Sequence, residues 1–240
     1  MAESRRFELL VFDWDGTLMD SEAHIVECLE YALDAVGLDP QPRETLRQVI
    51  GLGLEQAIAG IMPGQPRQTI ARGVEAFRER FLSPQPTPSR LFPGVEMVLD
   101  ELAGRGYLMA IATGKSRRGL DKVLAETGLE DYFAVSRCAD ETFSKPHPQM
   151  LEEILTDVDT PAERALVIGD TEFDLLMAAN AGAAAVGVSY GVHDEARLRK
   201  ARPLAILDRI EALPVWLNGG DSGIIGAIAE SSTTRGTTSE

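Results

Sequence analysis

The amino-acid sequence predicts an α/β protein, a doubly wound parallel sheet with a helical domain inserted near its beginning. Three observations carry that expectation. Leu9 to Phe12 is an unbroken apolar run, the mark of a strand buried on both faces of a parallel sheet. From about Ser21 to Gln85 apolar residues recur at helical spacing, and no convincing strand interrupts them. Beyond Gly94 short apolar runs alternate with helical stretches, the pattern of a parallel sheet covered on both faces.

Each element follows from local chemistry. In "AHIVECLEYALDAVGL", Ile25, Leu29, Ala32, Leu33 and Val36 fall on one helical face, and Gly37 ends the run. Two further helical stretches follow, "PRETLRQVI" with "GLEQAIAGIM", then "RQTIARGVEAFRERFL". The segment "SPQPTPSRLFPG" holds four prolines, cannot be helical throughout, and reads as a linker returning to the first domain. The alternation then runs "VEMVLDELAGRG" (helix), "YLMAIAT" (strand), "RRGLDKVLAETGL" (helix), "YFAVSRC" (strand), "HPQMLEEILTDV" (helix), "RALVIGD" (strand), "FDLLMAANAGA" (helix) and "AAVGVSYG" (strand). "HDEARLRKAR", "PLAILD" and "RIEALPVWL" close it. The expected organisation is a core of residues 1–18 and 90–218, a helical domain of residues 19–89, and a flexible Gly/Ser/Thr-rich tail at 219–240.

Composition bounds the function. Over 240 residues the formal charge is −15 and the pI about 4.7, which argues against a nucleic-acid partner. A small phosphorylated substrate remains open, because one or two well-placed cations suffice for it. No run approaches the roughly 20 apolar residues of a membrane span, and the opening "MAESRRFELL" lacks an apolar signal core. The expectation is a soluble cytoplasmic protein, monomer or homodimer, with no membrane partner. Cys28 and Cys138 form neither a disulfide framework nor a zinc motif, and read as two semi-buried thiols.

The chemistry is concentrated where strands end. "LLVFDWDGTL" runs from an apolar strand into Asp13 and Asp15, two like charges that repel unless something compensates them. Other strands end at Thr113-Gly114 and at Asp170, with Asp174 four residues on, and Lys145 stands just before a Pro-led helix start. In a parallel sheet these points share one edge, so Asp13, Asp15, Thr113, Lys145, Asp170 and Asp174 should surround one cleft. That many carboxylates suit a hard cation such as Mg²⁺. A hydroxyl, the backbone N–H groups near Gly16 and Gly114, and an ammonium suit a phosphoryl group. One carboxylate can attack phosphorus while its neighbour moves the proton.

Taken together, "DWDGTL", "ATGKS", "SKPHPQ" and "GDTEFD" resemble the four motifs of the haloacid dehalogenase-like (HAD) hydrolase superfamily. The match is to the phosphoglycolate-phosphatase-like branch, which carries a helical cap after the first motif. The resemblance covers roughly residues 7 to 215. It implies Asp13 as the nucleophile, Asp15 as general acid/base with a backbone carbonyl on Mg²⁺, and Asp170 completing the metal site with Asp13. It also implies Thr113, Gly114 and Lys145 as phosphoryl-binding groups, with Lys145 in the catalytic set and Asp174 as support for the metal site or for Lys145. Superfamily enzymes that cleave carbon–halogen bonds lack the second carboxylate, so Asp15 points to phosphoryl transfer. The implied activity is a Mg²⁺-dependent phosphatase of a small phosphorylated metabolite, phosphoglycolate or a sugar phosphate, working through an aspartyl-phosphate.

Two other readings stay open, a sugar phosphomutase of the same superfamily and a non-catalytic phosphate-ligand-binding protein. A phosphonate-cleaving relative needs a cap lysine, and residues 19–90 contain none. "GKS" at Gly114 is no nucleotide-binding loop, because Met109 stands where that motif needs its first glycine. "GLGLEQ" at Gly51 reads as a cap-helix break, a loop that by the same resemblance faces the active site. Arg43 and Arg47 are candidates for a substrate anion, Lys115, Arg117 and Arg118 for added positive field at the cleft, and His147 is the histidine nearest the implied chemistry. Trp14 should point away from the two aspartates and pack against the cap or hinge.

Overall fold

The computed structural model describes residues 5–84 and 89–219. Leu9–Phe12 (β1) is the strand about which the molecule is organised. It pairs in parallel with Leu108–Thr113 (β4) on one side and Ala165–Gly169 (β6) on the other. Val135–Cys138 (β5), Ala184–Val188 (β7) and Ala205–Leu207 (β8) extend the sheet to the order β5-β4-β1-β6-β7-β8, parallel throughout. Strand order therefore reverses between β1 and β6, where a crevice opens outside the carboxyl ends.

Period-two alternation sends the strand side chains into two cores. Leu10, Phe12, Ile111 and Ile168 face the layer of Val95–Gly104 (α5), Arg117–Thr127 (α6) and Ala212–Gly219 (α10). Leu9, Val11, Ala112 and Val167 face Gln149–Asp157 (α7), Glu172–Asn180 (α8) and Glu195–Lys200 (α9). Both faces of β1 are covered, which is why its sequence shows no polar alternation. Pro214 sits in the first turn of α10, where a missing N–H costs no helical bond.

Between β1 and β4 the chain builds a helical unit from Glu22–Ala35 (α1), Arg43–Arg47 (α2), Leu54–Ile61 (α3) and Arg67–Leu82 (α4). Leu29, Leu33, Leu46, Ile58, Ile61 and Val74 give it an apolar cluster of its own. Periodicity alone fixes α4 to the residue, whereas the two stretches before it shrink to short helices. Two short strands are absent from the sequence reading. Met19–Asp20 (β2) and Arg90–Leu91 (β3) pair antiparallel where the chain leaves the core and where it returns. Residues 85–88 of the Pro-rich linker and 220–240 of the expected tail lie outside the described residues.

No helix among the described residues is long and apolar enough to cross a membrane. Both cysteines are free and buried, Cys28 in α1 and Cys138 in β5. Burial pushes each thiol up to about 12.

Candidate active site

β1 delivers Asp13 to the crevice, and the Asp13 N–H donates to the Ile168 carbonyl at 2.9 Å, tying the residue to the end of β6. Its carboxylate is buried. Oδ1 accepts from Lys145 Nζ at 2.8 Å, while Oδ2 has no hydrogen-bond partner among the described residues. Such a buried oxygen is expensive to leave bare, and in a native fold it marks a place where something else binds.

Lys145 is held between two carboxylates, donating also to Asp174 Oδ1 at 2.5 Å, and all three side chains are essentially without solvent contact. Burial by itself would lower the ammonium's pKa, but Asp13 and Asp174 more than offset that and hold it above its ordinary value. Asp174 is spent on structure. Its Oδ2 accepts from the Thr171 N–H at 3.1 Å and hydroxyl at 2.6 Å, a reciprocal cap on α8.

Asp170, at the end of β6, accepts from the Thr17 hydroxyl on Oδ1 (2.9 Å) and the Val192 N–H on Oδ2 (2.8 Å). Burial pushes its carboxyl up to about 7, with Asp174 adding repulsion. Burial likewise raises Asp13 well above the carboxylate range; Lys145 opposes this, and Asp174 and Asp170 reinforce it. Gly16 makes the approach possible. Its φ is +81°, and a Cβ there would stand 2.1 Å from Asp170 Oδ2.

Asp15 turns the other way, toward the helical unit. Its Oδ1 lies 2.9 Å from Lys115 Nζ and also accepts from the Ser21 hydroxyl. Lys115 Nζ in turn sits 4.6 Å over the Phe81 ring of α4. The turn that follows β1 at Phe12 thus sends the two aspartates into different environments, with Trp14 between them pointing into the core and donating Nε1–H to Met19 Sδ at 3.4 Å. Thr113 is fully buried at the end of β4, its hydroxyl accepting from the Lys115 N–H at 3.2 Å.

The loop of residues 51–53 closes over this edge. A Cβ on Gly114 would meet the Leu52 carbonyl at 2.7 Å, and the Gly53 N–H donates to Ser144 Oγ at 2.7 Å. Behind the loop, a cavity of about 530 Å³ runs between α1, α3 and α4 and reaches Asp15 and Lys115. Arg43 and Arg47 are not among its lining residues. Arg43 lies 3.7 Å from Glu30, and Arg47 binds Glu22 (3.0 Å) and the Val192 carbonyl (2.9 Å) as a tie between helical unit and core. Arg117 is bound to Glu141, and His147 is exposed and accepts from the Gln149 N–H. Sequence reasoning does not single out Thr17 and Ser144, hydroxyls inside the quoted motifs, or Ser21, three residues beyond the first of them. It placed Lys115 as a field source rather than as Asp15's partner.

A family model described as haloacid dehalogenase-like hydrolase matches residues 10–188. The chain belongs to the haloacid dehalogenase-like hydrolases. Among the relatives of this hydrolase is "Probable phosphatase IndB" of Dickeya dadantii, 38% identical over 83% of this chain and 89% of that one. A phosphoglycolate phosphatase of Agrobacterium fabrum is 29% identical over 85% and 90%. A haloacid dehalogenase-like family hydrolase from Streptococcus pneumoniae superposes with a TM-score of 0.78 at 23% identity, over 88% of this chain and 98% of that one. A hydrolase from Pseudomonas syringae does so at 0.77 and 23%, over 90% and 98%. The hydrolase's donor set fits the divalent cation its family uses. Asp13, Asp170 and Asp174 offer oxygens within 4.8 Å of one another. Three buried carboxylates face one buried ammonium, so the cluster carries about two uncompensated negative charges when ionised.

Proposed function

We propose that this hydrolase is a Mg²⁺-dependent phosphomonoesterase. Its substrate is a small phosphorylated metabolite, and its intermediate is an aspartyl-phosphate on Asp13. The observation that carries the reading is the unpartnered, buried Oδ2 of Asp13 beside the Lys145 ammonium. The names of the relatives support it, since both are phosphatases.

Asp13 and Asp170, with the Asp15 carbonyl, would hold Mg²⁺, because Asp174's oxygens are already committed to Lys145 and Thr171. Bound Mg²⁺ supplies positive charge to phosphoryl oxygens. Asp13 Oδ2 attacks phosphorus and the ester P–O bond breaks. Asp15 delivers its proton to the departing oxygen, steered by Lys115 and Ser21. Water then attacks the aspartyl-phosphate and gives a proton back to Asp15, releasing phosphate and restoring the Asp13 carboxylate. Lys145 and the Thr113-Gly114 turn offset the charge that builds on the phosphoryl oxygens, and Asp174 keeps the ammonium aimed. The helical unit of residues 19–89 acts as a cap, with the β2–β3 pair as its hinge.

The test is phosphate release from phosphorylated metabolites with Mg²⁺ and with chelator, beside Asp13→Asn. Metal-dependent release abolished by the substitution is expected. Release that survives Asp13→Asn overturns the nucleophile, and conversion of a sugar phosphate to its isomer without release makes the enzyme a mutase.

A further inference from the structure

The cavity behind the loop of residues 51–53 has a chemistry that glycolate does not match. Its volume of about 530 Å³ is in the range that encloses a drug-sized ligand, and glycolate would leave most of it empty. Its walls include Ile25, Leu29, Ile50, Leu54, Phe77 and Phe81, and the last two rings stack at 5.8 Å with an interplanar angle of 12°. Three cations line it among the described residues. Lys115 is on Asp15 and Arg78 is on Glu75 at 2.6 Å, while Arg118 is solvent-exposed. A second carboxylate entering here finds no buried, unpaired cation among these residues. An apolar group finds an aromatic wall whose Phe81 ring already lies 4.6 Å from the Lys115 ammonium, beside Asp15.

We propose that the alcohol leaving this site carries a ring-sized apolar or aromatic group, and that phosphoglycolate is a poor substrate. The proposal rests on the phosphatase reading above, with Asp15 protonating the leaving oxygen. A cavity that opens onto Asp15 is the space on the leaving-group side of phosphorus. Phe77 and Phe81 then act as specificity residues, recognising a planar group by burial and stacking.

The experiment compares kcat/KM for 2-phenylethyl phosphate, ethyl phosphate and phosphoglycolate with the Mg²⁺-loaded full chain. The first two alcohols have similar acidity, so their difference reports recognition rather than lability. Burying one phenyl group predicts a preference of roughly 10- to 100-fold for the phenylethyl ester over the ethyl ester, with phosphoglycolate no better than ethyl phosphate. Ala57→Phe, which places a ring in the cavity from α3, should bring that preference toward one. A preference below threefold, or phosphoglycolate ahead of the phenylethyl ester, overturns this inference and leaves the phosphatase reading standing. Release from none of the three by an enzyme that does hydrolyse a sugar phosphate overturns this inference alone, and release from neither overturns the phosphatase reading with it.

Discussion

Replacing Lys145 by Met keeps the length of the side chain and removes the only ammonium bonded to the carboxylates of Asp13 and Asp174 among the described residues. Two bonds of 2.8 and 2.5 Å are lost, at a site without solvent to replace them. Removing one partner of a buried pair costs about 3–5 kcal/mol, because the remaining charges keep their desolvation penalty. That is a third or more of the stability of an ordinary domain. The cost must depend on pH. At pH 8 the variant holds buried carboxylates without a counter-charge, whereas toward pH 5 Asp13 and Asp170, whose folded-state pKa values are raised, can take up protons, and the penalty shrinks. Urea unfolding in chelator, followed by the fluorescence of Trp14 and Trp216, measures both values. A penalty under about 1 kcal/mol at pH 8, or one equal at the two pH values, would refute the account of Lys145 as the counter-ion that makes the cluster tolerable.

Metal-free wild-type protein should itself lose stability as pH rises from about 4 to about 7. Asp170 and Asp13 have folded-state pKa values raised above the unfolded value, so the folded state binds protons the unfolded chain has released. The slope is about 1.4 kcal/mol per pH unit for each group while it is titrating, and saturating Mg²⁺ should flatten it; a chelator titration that leaves the slope unchanged counts against a cation at this cluster. Gly16→Ala puts a methyl 2.1 Å from Asp170 Oδ2 at a φ of +81°, and displacement of that carboxylate by about 1 Å should cost activity about 100-fold while far-UV circular dichroism stays native. With both thiols pushed up to about 12 by burial, native protein should react with a thiol reagent at pH 8 far more slowly than urea-unfolded protein, and prompt labelling of either cysteine would refute their burial.

The parts of this molecule legible in its sequence are those set by short-range pattern. The apolar run of β1 and the helical periodicity of α4 rest on rules that act within a few residues. The meeting of Asp13, Lys145, Asp170 and Asp174 was readable for a different reason, since parallel strands bring all their carboxyl ends to one edge whatever their separation in the chain. What the sequence concealed depends on the helical unit docking against the core. Nothing near Lys115 says that its ammonium will lie between Asp15 and a ring 34 residues earlier, Phe81. Nothing near Arg47 says that it will reach the Val192 carbonyl. The strands β2 and β3 are two residues each, below the length at which alternation carries a signal, and they exist because Met19 and Leu91 happen to meet.

That small pairing of β2 with β3 also bears on how the chain folds. β1 precedes the helical unit and β4 follows it, and the register Leu9 to Leu108 joins residues roughly a hundred positions apart. Closing a loosely coiled loop of some 70 residues between Asp20 and Arg90 costs about 4 kcal/mol of chain entropy, before the central sheet gains anything. If α1 and α4 associate first, they bring the two ends of the insertion close and shorten the effective loop, and β2–β3 becomes a clasp that holds them there. The helical unit would then serve as the template on which β1 finds β4, so a segment inserted into the core would set the pace at which the carboxyl edge of the sheet is assembled.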